Sequence, residues 1–196
     1  MRAASKATVM VAAFEAFGGR ARNRSLQVLE RLKGRPELTT AVLPVDFSRL
    51  RRAVKALTAR RPAVLLLMGE APRDKVSVEQ LALNLADTDR PDNAGRVLRD
   101  HTLIRRAPLA LRAGWDARSL AAGLRRSRIP AEASFHAGTY ACNAALYYAL
   151  HELAGTPARI GFLHVPRSRA RLSLDQLVRA VHLSLRALGA PPGSGL

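Results

Sequence analysis

The sequence predicts an α/β fold, a single domain whose mostly parallel sheet carries helices on both faces. Three observations carry that expectation. Short apolar runs at 8–14 (TVMVAAF), 40–45 (TAVLPV), 63–69 (AVLLLMG) and 159–166 (RIGFLHVP) alternate with segments of helical periodicity. The runs are continuously apolar, as strands covered on both faces are. Finally, 196 residues at 48% hydrophobic content suffice for one sizeable core but would divide into two small ones.

The first run follows Arg2 and Lys6, a flank that imitates a secretory leader. It is stopped by Glu15 and lacks a small-x-small cleavage site, so it reads as a buried strand. It feeds FEAFGG (14–19), whose paired glycines permit a tight turn. Helical periodicity then predicts helices over 25–32, 47–60, 117–127, 142–153 and 174–188, with Gly34, Gly155 and Gly189 as C-terminal stops. Between the third strand and Ala117 the pattern breaks. VSVEQLALNLAD, the turn-rich TDRPDNAG and RVLRDHTLI predict an irregular strand-and-loop excursion over the sheet. The ending APPGSGL (190–196) is expected to fray, and no interior linker marks a second domain.

Composition narrows the cellular setting more than the chemistry. Lys and Arg total 32 against 15 Asp and Glu, a net charge of +17 that attracts polyanions without specifying one. Only four of the 32 are lysines, and the arginines run from Arg2 to Arg186, so coding bias accounts for the excess as well as a binding role does. No specific nucleic-acid partner is expected. A single cysteine forms no internal disulfide, which makes a reducing cytoplasm the expected compartment. No stretch approaches the ~20 apolar residues of a membrane span.

In open α/β sheets, ligands gather beyond the carboxyl ends of the strands. Cys142, in TYACNAAL, falls in the first turn of a predicted helix, where unpaired N–H groups and the helix dipole favour a thiolate. His164, at the end of the following strand, is the best placed base, and Glu79 is an acid inside an apolar segment, suited to orient an imidazole. The plainer alternatives are a cysteine filling the core and a surface glutamate on an edge strand. No metal or cofactor is expected: HELAG (151–155) has Gly155 where a second zinc-binding histidine would stand, and FGGRARNRS lacks a phosphate-loop pattern.

The blocks FEAFGG (14–19), LPVDF (43–47), VEQLALN (78–84), RPDNAG (90–95), AGTYACN (137–143) and FLHVP (162–166) occur in the order seen in pyroglutamyl-peptidase I, the pyrrolidone-carboxylate peptidases. The chain resembles that family from about Thr8 to Leu188. The resemblance implies a cysteine peptidase acting on peptides with an N-terminal pyroglutamate, with Cys142 as nucleophile, His164 as base and Glu79 as its partner. Phe14 and Phe17 match residues that sandwich the lactam ring, whereas their spacing alone reads as core packing. A pyroglutamyl group carries no α-ammonium charge, so its pocket needs apolar walls with a matched donor and acceptor.

Three departures from the family pattern bear on these expectations. Relatives carry an arginine ten residues after the glutamate, where this chain has Asp89, with Arg90 next; Arg90 is expected to serve the oxyanion. The loop GEAPRDKVSVE is one residue short, and Glu70 replaces a neutral residue that lines the lactam site in relatives. The segment after HVP is also short, which leaves a homo-oligomer possible but unspecified. Two rivals stay open at this level: a hydrolase redirected to another amide, and a catalytically weak relative that binds polyanions.

Overall fold

The computed structural model describes residues 8–167 and 172–190. β1 (Val9–Phe14) leads to α1 (Arg24–Leu32), and β2 (Leu38–Leu43) to α2 (Phe47–Thr58). There follow β3 (Val64–Ala71), β4 (Val76–Glu79), β5 (Leu81–Leu83), β6 (Ala110–Arg112), α3 (Ala117–Arg126), β7 (Ala131–Ser134), α4 (Ala141–Glu152), β8 (Arg159–Pro166) and α5 (Leu174–Ala187). Six strands form one sheet in the order β2-β1-β3-β8-β4-β7. β1, β2, β3 and β8 run parallel, whereas β4 is antiparallel to β8 and parallel to β7. β5 and β6 form a separate antiparallel ribbon.

Strand alternation explains the continuous apolar runs. In β1, Val9, Val11 and Ala13 pack with residues of α1, α3 and α5, while Met10, Ala12 and Phe14 pack with residues of α2 and α4. Val64, Leu66 and Met68 of β3 face the first cluster, and Leu65 and Leu67 the second. Both faces are therefore covered, and the mostly parallel α/β arrangement expected from the sequence is the one present.

Helix starts follow local chemistry. Asn23, Asp46 and Asp116 cap α1, α2 and α3 through their side chains, and Ser173 with Gln176 forms a capping box on α5. At α4 the N-cap is Tyr140, whose side chain makes no cap hydrogen bond. Among the described residues, the N–H groups of the first turn of α4 thus remain open, since that turn has no intrahelical partners of its own.

The structure differs from expectation in several places. β3 runs on to Ala71, so Glu70 lies within a strand rather than a loop. β4 is an inner strand paired on both sides, not an edge; the edge on that side is β7, whose AEAS sequence carries no β-branched residue to announce it. The excursion does exist, and it is fastened. Asn84 brackets Ile104 through both its amide groups, Asp92 accepts from Phe47 N at 2.8 Å, and Asn93 donates to Glu15 Oε1 and Ala16 O. In the expected tail, Ala190 is buried with its N–H bonded to Leu185 O at 3.0 Å. Residues 191–196, and 168–171 of the short segment after HVP, lie outside the described residues.

Candidate active site

The register of β4 against β8 pairs Ser77 with His164 and Glu79 with Phe162. Glu79 and His164 are therefore diagonal neighbours on one face, within reach of long side chains. That face is the one covered by α2 and α4, because Phe162 packs in their cluster. Glu79 is 0% exposed, and His164 Nδ1 lies 2.7 Å from its Oε1. The backbone around Glu79 is fixed too: Trp115 Nε1 donates to Glu79 O at 2.9 Å, and Gln80 bonds Trp115 O and Ala117 N.

Cys142 arrives from α4 as the second residue of the helix, half-buried. Its neighbour Asn143 is buried and grips β5 and the chain beyond, accepting from Leu83 N at 2.8 Å and donating to Leu83 O and Leu85 O at 2.9 Å. Convergence over the sheet depends on Gly69. A Cβ built there would lie 2.5 Å from Cys142 Sγ, 3.0 Å from Phe162 Cζ and 3.4 Å from His164 Cδ2, the ring carbon bonded to Nε2. Sulfur and imidazole thus meet above a residue that has no side chain. Among the described residues no hydrogen bond joins Sγ to the ring, so the imidazole lies near the thiol without engaging it.

Electrostatics corrects one expectation. The helix terminus was expected to depress the Cys142 pKa, yet the thiol is pushed up to about 12, first by burial and then by the Glu79 carboxylate. Arg73 and the backbone N–H oppose that rise and lose. In the free site the sulfur is a thiol, and a base must take its proton during attack. Arg73 enters the picture unannounced: its Nη1 lies 3.2 Å from Glu79 Oε1, the oxygen that also meets His164.

The aromatic residues form a wall beside the thiol. Phe17 is 9% exposed and lies 6.1 Å, between ring centroids, from Tyr140, which packs edge-on against Phe47 at 5.5 Å. Phe14, the last residue of β1, is 1% exposed and belongs to the core beneath that wall. Tyr140 donates its hydroxyl to Pro91 O at 2.9 Å, and burial raises its pKa to about 12, so it stays a donor.

Glu70 does not join Cys142 and His164. Gly69 pairs with His164 in register, so strand alternation sends the Glu70 side chain to the opposite face. There it forms an ion pair with Arg20, accepts from the first N–H of α1 at Arg24 (2.7 Å), and has Arg167 Nε 3.7 Å away. Its link to the aromatic wall is indirect, through the Arg20 guanidinium 4.7 Å over the Phe17 ring. Arg90 is exposed and lines a cleft of about 300 Å³ with Thr88, Asp89 and Tyr140. Asp89 is ion-paired with Arg99, its side chain 87% exposed. The anion one position before Arg90 is therefore already engaged by a cation.

Sequence reasoning missed Gly69, Arg73, Tyr140 and Asn143. A glycine inside an apolar strand was a usable signal for Gly69. Arg73 had none, being one basic residue among 32.

A family model described as pyroglutamyl peptidase matches residues 7–187. A pyrrolidone-carboxylate peptidase of Thermococcus kodakarensis is 34% identical, the match covering 91% of this chain and 94% of the relative. Its counterpart in Clavibacter michiganensis is 34% identical, with 92% of each chain covered. Among solved structures, the pyrrolidone carboxyl peptidase of Thermus thermophilus superposes with a TM-score of 0.86 at 38% identity, covering 92% of this chain and 100% of that one.

Proposed function

Because the chain belongs to the pyroglutamyl peptidase family, we infer that it is a cysteine peptidase that removes N-terminal 5-oxoproline residues from peptides. The observation that most supports placing the chemistry at Cys142, His164 and Glu79 is the buried 2.7 Å contact between Glu79 and His164 beside a helix-terminal thiol. His164 Nε2 takes the thiol proton as Sγ bonds to the pyroglutamyl carbonyl carbon. The negative oxygen is met by open N–H groups of the α4 first turn, with Arg90 on the cleft side. Collapse breaks the C–N bond, the departing amine takes the proton from Nε2, and a thioester remains on Cys142. Water then gives a proton to Nε2 and attacks the thioester; the C–S bond breaks and the thiol is restored.

Phe17 and Tyr140, backed by Phe14, supply apolar walls for an uncharged lactam. Glu70, drawn away by Arg20, is a support for the Phe17 side of the wall rather than a contact to the ring. That removes the main reason to expect a redirected substrate. Hydrolysis of pyroglutamyl-arylamide, compared with a panel of aminoacyl-arylamides, tests the assignment: wild type should cleave the pyroglutamyl compound and Cys142→Ala should not. Equal rates in the two proteins, or preference for an aminoacyl amide, would contradict it.

Among the described residues no helix is long and apolar enough to cross a membrane. A cytoplasmic location is the reading its single cysteine supports. Exposed Val42 and Phe135 sit at opposite edges of the sheet and form no common apolar patch, so self-association is a question for sedimentation of the purified chain.

A further inference from the structure

Glu79 carries a charge in a place with little to satisfy it. Among the described residues its Oε2, which is buried, has no hydrogen-bond partner, so its negative charge is met through Oε1. Two groups reach that atom: His164 Nδ1 at 2.7 Å and Arg73 Nη1 at 3.2 Å. A neutral imidazole offers Oε1 a hydrogen bond but no charge. The guanidinium offers both, and it does not lose its proton in proteins.

Whether Glu79 is ionised decides whether the pair can act as a base. With Glu79 ionised, Nδ1–H donates to it and the lone pair on Nε2 faces the thiol. When the pair takes up one further proton and holds it at the carboxyl, Nδ1 accepts instead, the ring's own hydrogen sits on Nε2, and the ring cannot receive the Cys142 proton. A fixed positive charge at 3.2 Å favours the first arrangement over the second.

We propose that Arg73 is a positioning residue that holds Glu79 as a carboxylate and thereby fixes His164 in the tautomer whose Nε2 accepts the Cys142 proton. This rests on the triad described above. Neighbouring charges do not duplicate the role. On β7, Glu132 bonds Ser77 Oγ at 3.0 Å and faces Lys75 at 3.9 Å; on β3, Glu70 is taken by Arg20; on α4, the facing group is Cys142 itself. Among the described residues, Arg73 is the one Arg or Lys in contact with the Glu79 side chain. Arg73 also acts on the nucleophile, lowering the thiol pKa against burial and Glu79.

The test compares wild type, Arg73→Met, Arg73→Lys and Cys142→Ala. Three quantities are read: kcat/KM on pyroglutamyl-arylamide against pH, the rate of Cys142 alkylation by iodoacetamide against pH, and thermal unfolding. Arg73→Met should move the acid-side midpoint of both profiles to higher pH by about one unit. Arg73→Lys, which keeps the charge, should stay close to wild type. A residue that merely anchored the β3–β4 turn would lower Tm or kcat at every pH and leave the midpoints unmoved, and that result overturns the proposal. If Arg73→Met does not fold, Arg73→Gln takes its place with the same expectations. Activity surviving in Cys142→Ala would refute the triad itself; a wild type that depends on Cys142, with unshifted midpoints in the neutral variant, would refute the role of Arg73 alone.

Discussion

Cys142 stands between opposed influences, a helix terminus that favours its anion and a half-buried seat, desolvated around the sulfur and flanked by an acid, that favours its proton. The seat wins in the free site, with the thiol held at about 12. A consequence follows for stability. The ordinary thiol value is 9.0, so an unfolded chain releases this proton long before the folded one does. The stabilisation from that difference is fully present below about pH 9 and is lost as pH climbs toward the folded value. Urea unfolding of wild type and Cys142→Ala should show wild type losing stability relative to the variant between about pH 8 and about pH 11. A constant difference would contradict the raised thiol. At Glu79 the expectation concerns rate. Glu79→Gln keeps the shape but offers no anion to orient and stabilise the imidazolium, and kcat should fall by on the order of 10²-fold or more. Steady-state kinetics on a pyroglutamyl-arylamide measures it, and undiminished turnover would remove Glu79 from the machinery.

Two elements bring the residues together, β3 by what it omits and α4 by how it is tied. Gly69→Ala places a carbon 2.5 Å from Sγ, and Sγ rather than the strand must give way. A displacement near 1 Å at a reacting atom costs on the order of 10²-fold. The variant should fold and lose about that much kcat/KM, so near-normal activity would show that the thiol reacts from elsewhere. Asn143→Ala would leave three backbone groups of Leu83 and Leu85 without partners. Denaturant unfolding should register a loss of about 1–3 kcal/mol, accompanied by reduced turnover because the adjacent Cys142 loses its tether. What the sequence disclosed divides along the same physical lines. β1, β3 and β8 were legible because burial on both faces leaves unbroken apolar runs, whereas β2, a half-buried edge strand, lies at Leu38–Leu43, two residues ahead of the run at 40–45. β4 was not legible, since its VSVE places buried Ser77 and Glu79 in an inner strand, and a buried acid looks like an exposed one until its partner is known. Cys142 and His164 were legible from their places at a helix start and a strand end. Arg73 was invisible, because its significance is a distance to Glu79 and not a spacing. The direction of Glu70 was within reach: it follows Gly69 by one residue, and strand parity alone sends the two to opposite faces.

At the scale of the whole molecule, the sheet acts as a partition. Apolar clusters on its two sides bear the packing, and the residues of the proposed triad collect on the α2/α4 side where β3, β8 and β4 lie adjacent. The reversal of β4 is what makes this possible. Running against β8, it brings Glu79, its last residue, into register with Phe162, two residues short of His164. The net charge of +17 surrounds this arrangement, and a cation-rich surface attracts anionic peptides and polyanions alike. If the charge contributes only such long-range attraction, kcat/KM for an acidic pyroglutamyl peptide should fall as salt is raised, while that for a neutral arylamide stays level. Equal salt dependence for both would place the charge effect elsewhere. The account turns on a covalent intermediate, and the direct measurement is the intact mass of enzyme quenched in acid during turnover of a pyroglutamyl ester or arylamide. A pyroglutamyl adduct localised to the peptide containing Cys142, absent in Cys142→Ala, is the predicted result; turnover with no adduct, or an adduct on another residue, would contradict it.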